Sequence, residues 1–152
     1  MDVQTFHYVF ENNNIVLENL IHFYFLKLIL ESSNFIEKYT LDIHETHAAV
    51  FVLFKHLFED FGHSQKYIYV DVIREKKDNV IKYIINPLAL EEKLDADFLP
   101  VDFFISFTII TPHKIMVDFS IKWLEEIPFV ENMKTVVKKT FSKLKQYIDK
   151  LE

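Results

Sequence analysis

The sequence predicts an α+β fold: an antiparallel sheet of about four strands in two hairpins, packed against two N-terminal helices and a long C-terminal amphipathic helix. Three observations carry that expectation. Residues 114–123 alternate strictly, with Ile115, Val117, Phe119, Ile121 and Trp123 on one face and Lys114, Met116, Asp118, Ser120 and Lys122 on the other, which is the period of a half-buried strand. Residues 66–85 hold two runs rich in Tyr, Ile and Val around a charged link, the pattern of a hairpin. Residues 130–151 set Val130, Met133, Val137, Phe141, Leu144, Ile148 and Leu151 at steps of three and four, the stripe of a helix with one apolar face.

In chain order, residues 4–10 fit an additional strand or an arm packed elsewhere. Residues 15–31 place Leu17, Leu20, Ile21, Tyr24, Phe25 and Leu28 on one helical face, with Asn13 or Asn14 available as N-cap. The second helix is expected over 42–62. There Asp42 and Glu45 have capping-box spacing, Val50, Leu53, Phe54, Leu57, Phe58 and Phe61 repeat the helical template, and Gly62 stands where a left-handed C-terminal residue belongs. The first hairpin pairs 66–74 with 80–85. Residues 87–95 read as a short helix with Pro87 in its first turn, followed by an irregular, acidic stretch at 97–102. The second hairpin pairs 103–111 with 114–123 through Pro112-His113, and on its first strand Phe104 and Ile110 share a face with Ser106 and Thr108.

A chain of 152 residues has the usual length of one domain, able to bury roughly 70% of its unfolded surface, so residues 1–152 are expected to form a single α+β domain. The longest apolar run, 48–54, is far short of the roughly 20 residues that cross a bilayer, and no basic n-region opens the sequence. No membrane span is expected, and the cytoplasm is the expected location. The absence of cysteine removes disulfides and thiolate chemistry. A lone glycine, Gly62, leaves no means of writing a phosphate-cradling loop or a nucleophile elbow. Net charge is −6, and Arg74 is the only arginine, which argues against nucleic acid as a partner.

Chemistry-bearing clusters are sparse. His44, Glu45 and His47 form the best metal candidate, with His44 and His47 able to face one cation on a helix. The spacing is not H-E-x-x-H, and Glu45 is explained by the capping box. Paired carboxylates such as Glu91-Glu92 and Glu125-Glu126 lie in polar surroundings that suit a solvated face. No serine occupies a recognisable nucleophile context, and no cofactor is expected. Tyr67 and Tyr69, with Phe104 and Ile110, are the candidate interface residues, since half-exposed aromatic strands are favoured where proteins meet.

By elimination, the first functional expectation is a non-enzymatic protein–protein interaction domain: an adaptor, a chaperone-like, immunity or accessory factor, or an assembly subunit, with a protein partner or a homo-oligomer as its complex. The alternative is a carrier of a small apolar ligand, its sheet curving around the C-terminal helix to leave a cavity lined by Phe103, Phe107, Phe119 and Trp123. A metal-dependent hydrolase built on His44, Glu45 and His47 is the third.

Overall fold

The computed structural model describes residues 3–56, 64–125 and 130–152, without the side chains of residues 130 and 132. The chain folds as β1 (Val3–Glu11), a 3-10 turn (Leu17–Asn19), α1 (Phe23–Ser32), β2 (Ile36–Ile43), β3 (His47–Phe54), β4 (Lys66–Lys77), β5 (Val80–Pro87), β6 (Asp97–Phe98), β7 (Val101–Thr111), β8 (Lys114–Trp123) and α2 (Val130–Asp149). Seven strands follow the order β1-β8-β7-β5-β4-β3-β2 with antiparallel neighbours, and the two-residue β6 runs parallel to β4. The α+β character is as expected, but a sheet of about four strands with two N-terminal helices is not what forms. Among the described residues there are eight strands, and one α-helix precedes the hairpins.

The second predicted helix is the largest correction. Residues 42–54 form the end of β2, a turn and β3. An uninterrupted apolar run satisfies helical and strand periods alike, so spacing alone does not separate them. Here β3 lies between β2 and β4, with Ala48, Val50 and Val52 buried on the inner face and Phe51 directed outward opposite Tyr69. The Asp42/Glu45 spacing belongs to a turn instead of a helix cap. The His44 N–H donates to the His47 carbonyl at 2.8 Å, and His44 Nε2 bonds the Asp42 carboxylate at 3.1 Å. Leu57, Phe58, Phe61 and Gly62 lie outside the described residues.

The first helix forms, but it is interrupted. Leu17–Asn19 makes one 3-10 turn, His22 is extended, and α1 starts at Phe23. Two side chains from the sheet hold the break: Arg74 Nε donates to the Ile21 carbonyl at 3.0 Å and the Tyr83 hydroxyl to the His22 carbonyl at 2.6 Å. Leu17, Ile21, Phe25 and Leu28 of the predicted stripe are buried, but restarting the helix there buries Phe23 as well and leaves Tyr24 exposed. The lone arginine is thus committed to backbone structure. The short helix expected over 87–95 is absent as well. Pro87 ends β5 opposite Val70, and the chain reaches β6 without a helical turn.

The β4–β5 hairpin is tighter than expected, because Lys77 pairs with Val80 and only Asp78 and Asn79 turn the chain. Asp78 takes φ 55°, the left-handed conformation that such two-residue turns demand and that Asp tolerates. Residues 4–10 form most of β1, an edge strand in register with β8 from Val3↔Lys122 to Glu11↔Lys114.

The sheet bends around α2. Phe141 stacks on Tyr8 of β1 at 4.7 Å between ring centroids and packs on Phe119 of β8 at 5.3 Å, while Leu144 and Ile148 are fully buried. Asn12, itself buried, fastens the C-terminal end of the helix. Its Nδ2 donates to the carbonyls of Ile148 (2.6 Å) and Leu151 (2.7 Å), and the Ile148 carbonyl also accepts the Leu151 N–H at 3.2 Å, so the helix end is closed from two sides. Among the described residues, no helix is long and apolar enough to cross a membrane.

Candidate functional site

The predicted stripe of α2 divides in two. Leu144 and Ile148 of its C-terminal half pack into the core, its N-terminal half, with Met133, Val136, Val137 and Thr140, faces a void, and Phe141 between them touches both. That void measures about 210 Å³ and lies between α2, the second half of α1 and the concave face of the sheet. The alternation of the strands builds its floor: Val50 and Val52 come from β3, Ile68, Val70 and Val72 from β4, and Ile121 from β8. Leu26, Ile29 and Leu30 of α1 supply the wall beside β2.

No charged or titratable side chain lines this cavity among the described residues; Ser33, Thr140 and the Trp123 indole are its polar groups. Two of the three are engaged. The Thr140 hydroxyl donates to the Val136 carbonyl at 3.0 Å, and the Ser33 hydroxyl accepts from the Phe35 N–H at 3.4 Å. Trp123 is 2% exposed, and its Nε1–H has no acceptor among the described residues. Such a space holds apolar matter by exclusion of water.

Of the four aromatic residues expected around a cavity, Phe103, Phe119 and Trp123 line it. Phe107 does not: it is fully buried, edge-on to Phe25 at 4.9 Å and to Tyr83 at 5.2 Å. Burial also pushes the Tyr83 hydroxyl far above the ordinary phenol range, with the Arg74 guanidinium opposing part of that rise. The walls from α1, β3 and β4 were missed in the sequence. The signal was present in the matched alternation of Val50 and Val52 with Ile68, Val70 and Val72, but it is visible only once residues 48–54 are read as a strand.

The four candidate interface residues fall in two places on the convex face. Phe104 and Ile110 belong to β7 and are 46% and 51% exposed, with Ile110 thrown out of register by a bulge between Ile109 and Thr111. Tyr67 and Tyr69 sit on β4 against Phe51, at 6.0 and 6.2 Å, and Phe98 adds an edge contact to Tyr67 at 5.8 Å. The metal candidates stand on the β2–β3 hairpin. The rings of His44 and His47 stack at 4.7 Å, and His47 Nδ1 bonds the Asp71 carboxylate at 2.8 Å. No group of three His, Asp or Glu side chains among the described residues is placed to hold a metal ion.

No family model matches the chain, and a comparison with curated protein sequences finds no match either. Solved structures do match in shape. Human StAR-related lipid transfer protein 5 superposes with a TM-score of 0.62 at 8% identity, over 96% of this chain and 74% of that one. The lipid transfer and protein localization domain of human StarD13 (DLC2) gives 0.63 at 7% identity, over 98% and 78%. The fold is START-like. The Zhui aromatase/cyclase of a Streptomyces species shares it, with a TM-score of 0.54 at 8% identity over 97% of this chain and 92% of that one. At such identities the likeness concerns the arrangement alone, a curved antiparallel sheet gripping a long C-terminal helix.

Proposed function

We propose that the protein binds a small, neutral, apolar molecule in the cavity between α2 and the concave face of the sheet. The observation that carries this reading is the 210 Å³ void with walls almost wholly hydrocarbon. A packed core leaves few spaces larger than a water molecule, so a hydrocarbon-walled space of this size is one that an apolar occupant stabilises by filling. The START-like neighbours, among them a lipid transfer protein and a lipid transfer and protein localization domain, support the same reading.

Size narrows the occupant. An engineered apolar cavity of about 150 Å³ in another protein accepts benzene, so the larger space here suits about eight to ten heavy atoms. At about 0.8 kcal/mol per buried carbon, affinity for such a molecule is no tighter than about 1 µM. We read the protein as a carrier and not an enzyme, because no titratable side chain lines the cavity among the described residues. This reading takes precedence over a protein-interaction domain, since Tyr67 and Tyr69 are half-buried against Phe51, and Phe104 and Ile110 stand six residues apart on β7.

Trp123 is the only tryptophan in the chain and lies in the cavity wall, so its emission reports occupancy. Titration with butylbenzene is expected to change that emission saturably, at micromolar concentration, with matching heat in calorimetry. Absence of saturable binding by butylbenzene and by the smaller toluene overturns the proposal.

A further inference from the structure

We infer that the molecule held in the cavity carries an uncharged hydrogen-bond acceptor, a carbonyl or ether oxygen, which takes the indole N–H of Trp123. The inference rests on the cavity reading above and goes beyond it in naming a polar feature of an otherwise apolar ligand. A buried indole N–H normally has a partner, and one left without it is a standing cost to the folded state. Trp123 is such a donor: buried, on the cavity wall, and with no acceptor for Nε1 among the described residues.

The residue is also held in place. Trp123 pairs with Val101 in the β7–β8 ladder, and the following N–H, of Leu124, donates to the Pro100 carbonyl at 2.9 Å. An indole fixed by the sheet is a pre-organised donor, which lowers the ordering cost of using it. The other two polar wall groups already have partners, the Thr140 hydroxyl with the Val136 carbonyl and the Ser33 hydroxyl with the Phe35 N–H. Among the described residues Trp123 Nε1–H is therefore the buried wall donor left without an acceptor, while the Ser33 hydroxyl stands at a half-buried position. A carboxylate or phosphate is a poor fit, because no lysine, arginine or histidine lines the cavity to balance its charge among the described residues. A carbonyl or ether oxygen accepts without bringing a donor of its own that the wall must satisfy.

Butylbenzene and butyrophenone test this, since they share a carbon skeleton and differ by one CH₂ replaced with C=O. Their affinities for the wild-type chain and for Trp123→Phe form a cycle that cancels the difference in their hydration. The preference for the ketone relative to the hydrocarbon is expected to fall about tenfold in Trp123→Phe. The single indole ¹H–¹⁵N resonance of the wild-type protein is expected to move downfield with butyrophenone and not with butylbenzene. Binding of both probes with an unchanged ratio and the same indole resonance overturns the inference and leaves the cavity reading standing. Binding of neither overturns both. Should Trp123→Phe not fold, the wild-type indole resonance decides alone: a downfield shift specific to the ketone supports the inference, and its absence overturns it.

Discussion

Replacing Val70 with Phe separates usable space from a packed core. Val70 lies on β4, on the concave face and in the cavity wall. Phe brings four more carbons, worth about 3 kcal/mol if they enter the void. Side-chain ordering trims the gain to about 2–3 kcal/mol. For a chain of this length each kcal/mol shifts the melting temperature by about 2–4 °C, so Val70→Phe is expected to melt about 5–10 °C higher. Urea unfolding should show a raised midpoint at unchanged slope. Val117→Phe is the control. Val117 is completely buried on the same face of the sheet but is not part of the cavity wall, so the same enlargement should cost about 1–3 kcal/mol through overpacking. Val70→Phe should also weaken butylbenzene binding more than tenfold. If Val70→Phe is destabilised as much as the control, the reasoning is refuted.

Three further outcomes follow from the same contacts. Asn12→Ala removes two hydrogen bonds to carbonyls at the end of α2 and should cost about 2–3 kcal/mol in urea unfolding. Asn12→Asp should be at least as damaging at neutral pH and partly recover in acid. Only the protonated carboxyl donates to a carbonyl, so its folded pKa is raised and the stability it gives is present at low pH and lost as pH rises through that value. Burial raises the Tyr83 pKa, so the stability tied to its proton is complete below about pH 10 and is lost above it by about 1.4 kcal/mol per pH unit. Tyr83→Phe, which forfeits the 2.6 Å bond to His22, should be less stable than wild type at pH 7 and converge on it above about pH 11, as read by urea midpoints.

The parts of the fold legible in the sequence are those with one strong period. Residues 114–123 have a clean alternation and form β8, and the stripe of α2 names Phe141, Leu144 and Ile148, which are all buried. What failed was the middle of the N-terminal half. Residues 48–54 are apolar at every position, so neither period excludes the other, and the choice is made by β2 and β4 offering backbone partners on both sides. Likewise, nothing local marks the break at His22. It depends on Arg74 and Tyr83, which are 53 and 61 residues away from the carbonyls they bind.

The site was legible in the same uneven way. Phe103, Phe119 and Trp123 could be placed on a cavity wall because their strands were recognised. The void itself follows from the difference between the two halves of α2. Met133 and Val137 carry the same stripe as Leu144 and Ile148, and only the separation of helix from sheet at one end tells a lining residue from a packed one. The missing partner of the Trp123 indole has no trace in the sequence, because it concerns what does not lie nearby.

The sheet order sets β1 beside β8, so His7 meets Asp118 across 111 residues of chain. At roughly 5–20 residues per second, a ribosome needs about 5–20 s to travel that distance. During that interval the earliest strand has no neighbour with which to share its ladder, and Phe6 and Phe10 stay uncovered. Closure of the sheet, and with it of the wall that Phe119, Ile121 and Trp123 provide, therefore waits for β8 to be synthesised. The nascent chain acquires its apolar chamber only after β8 has been made.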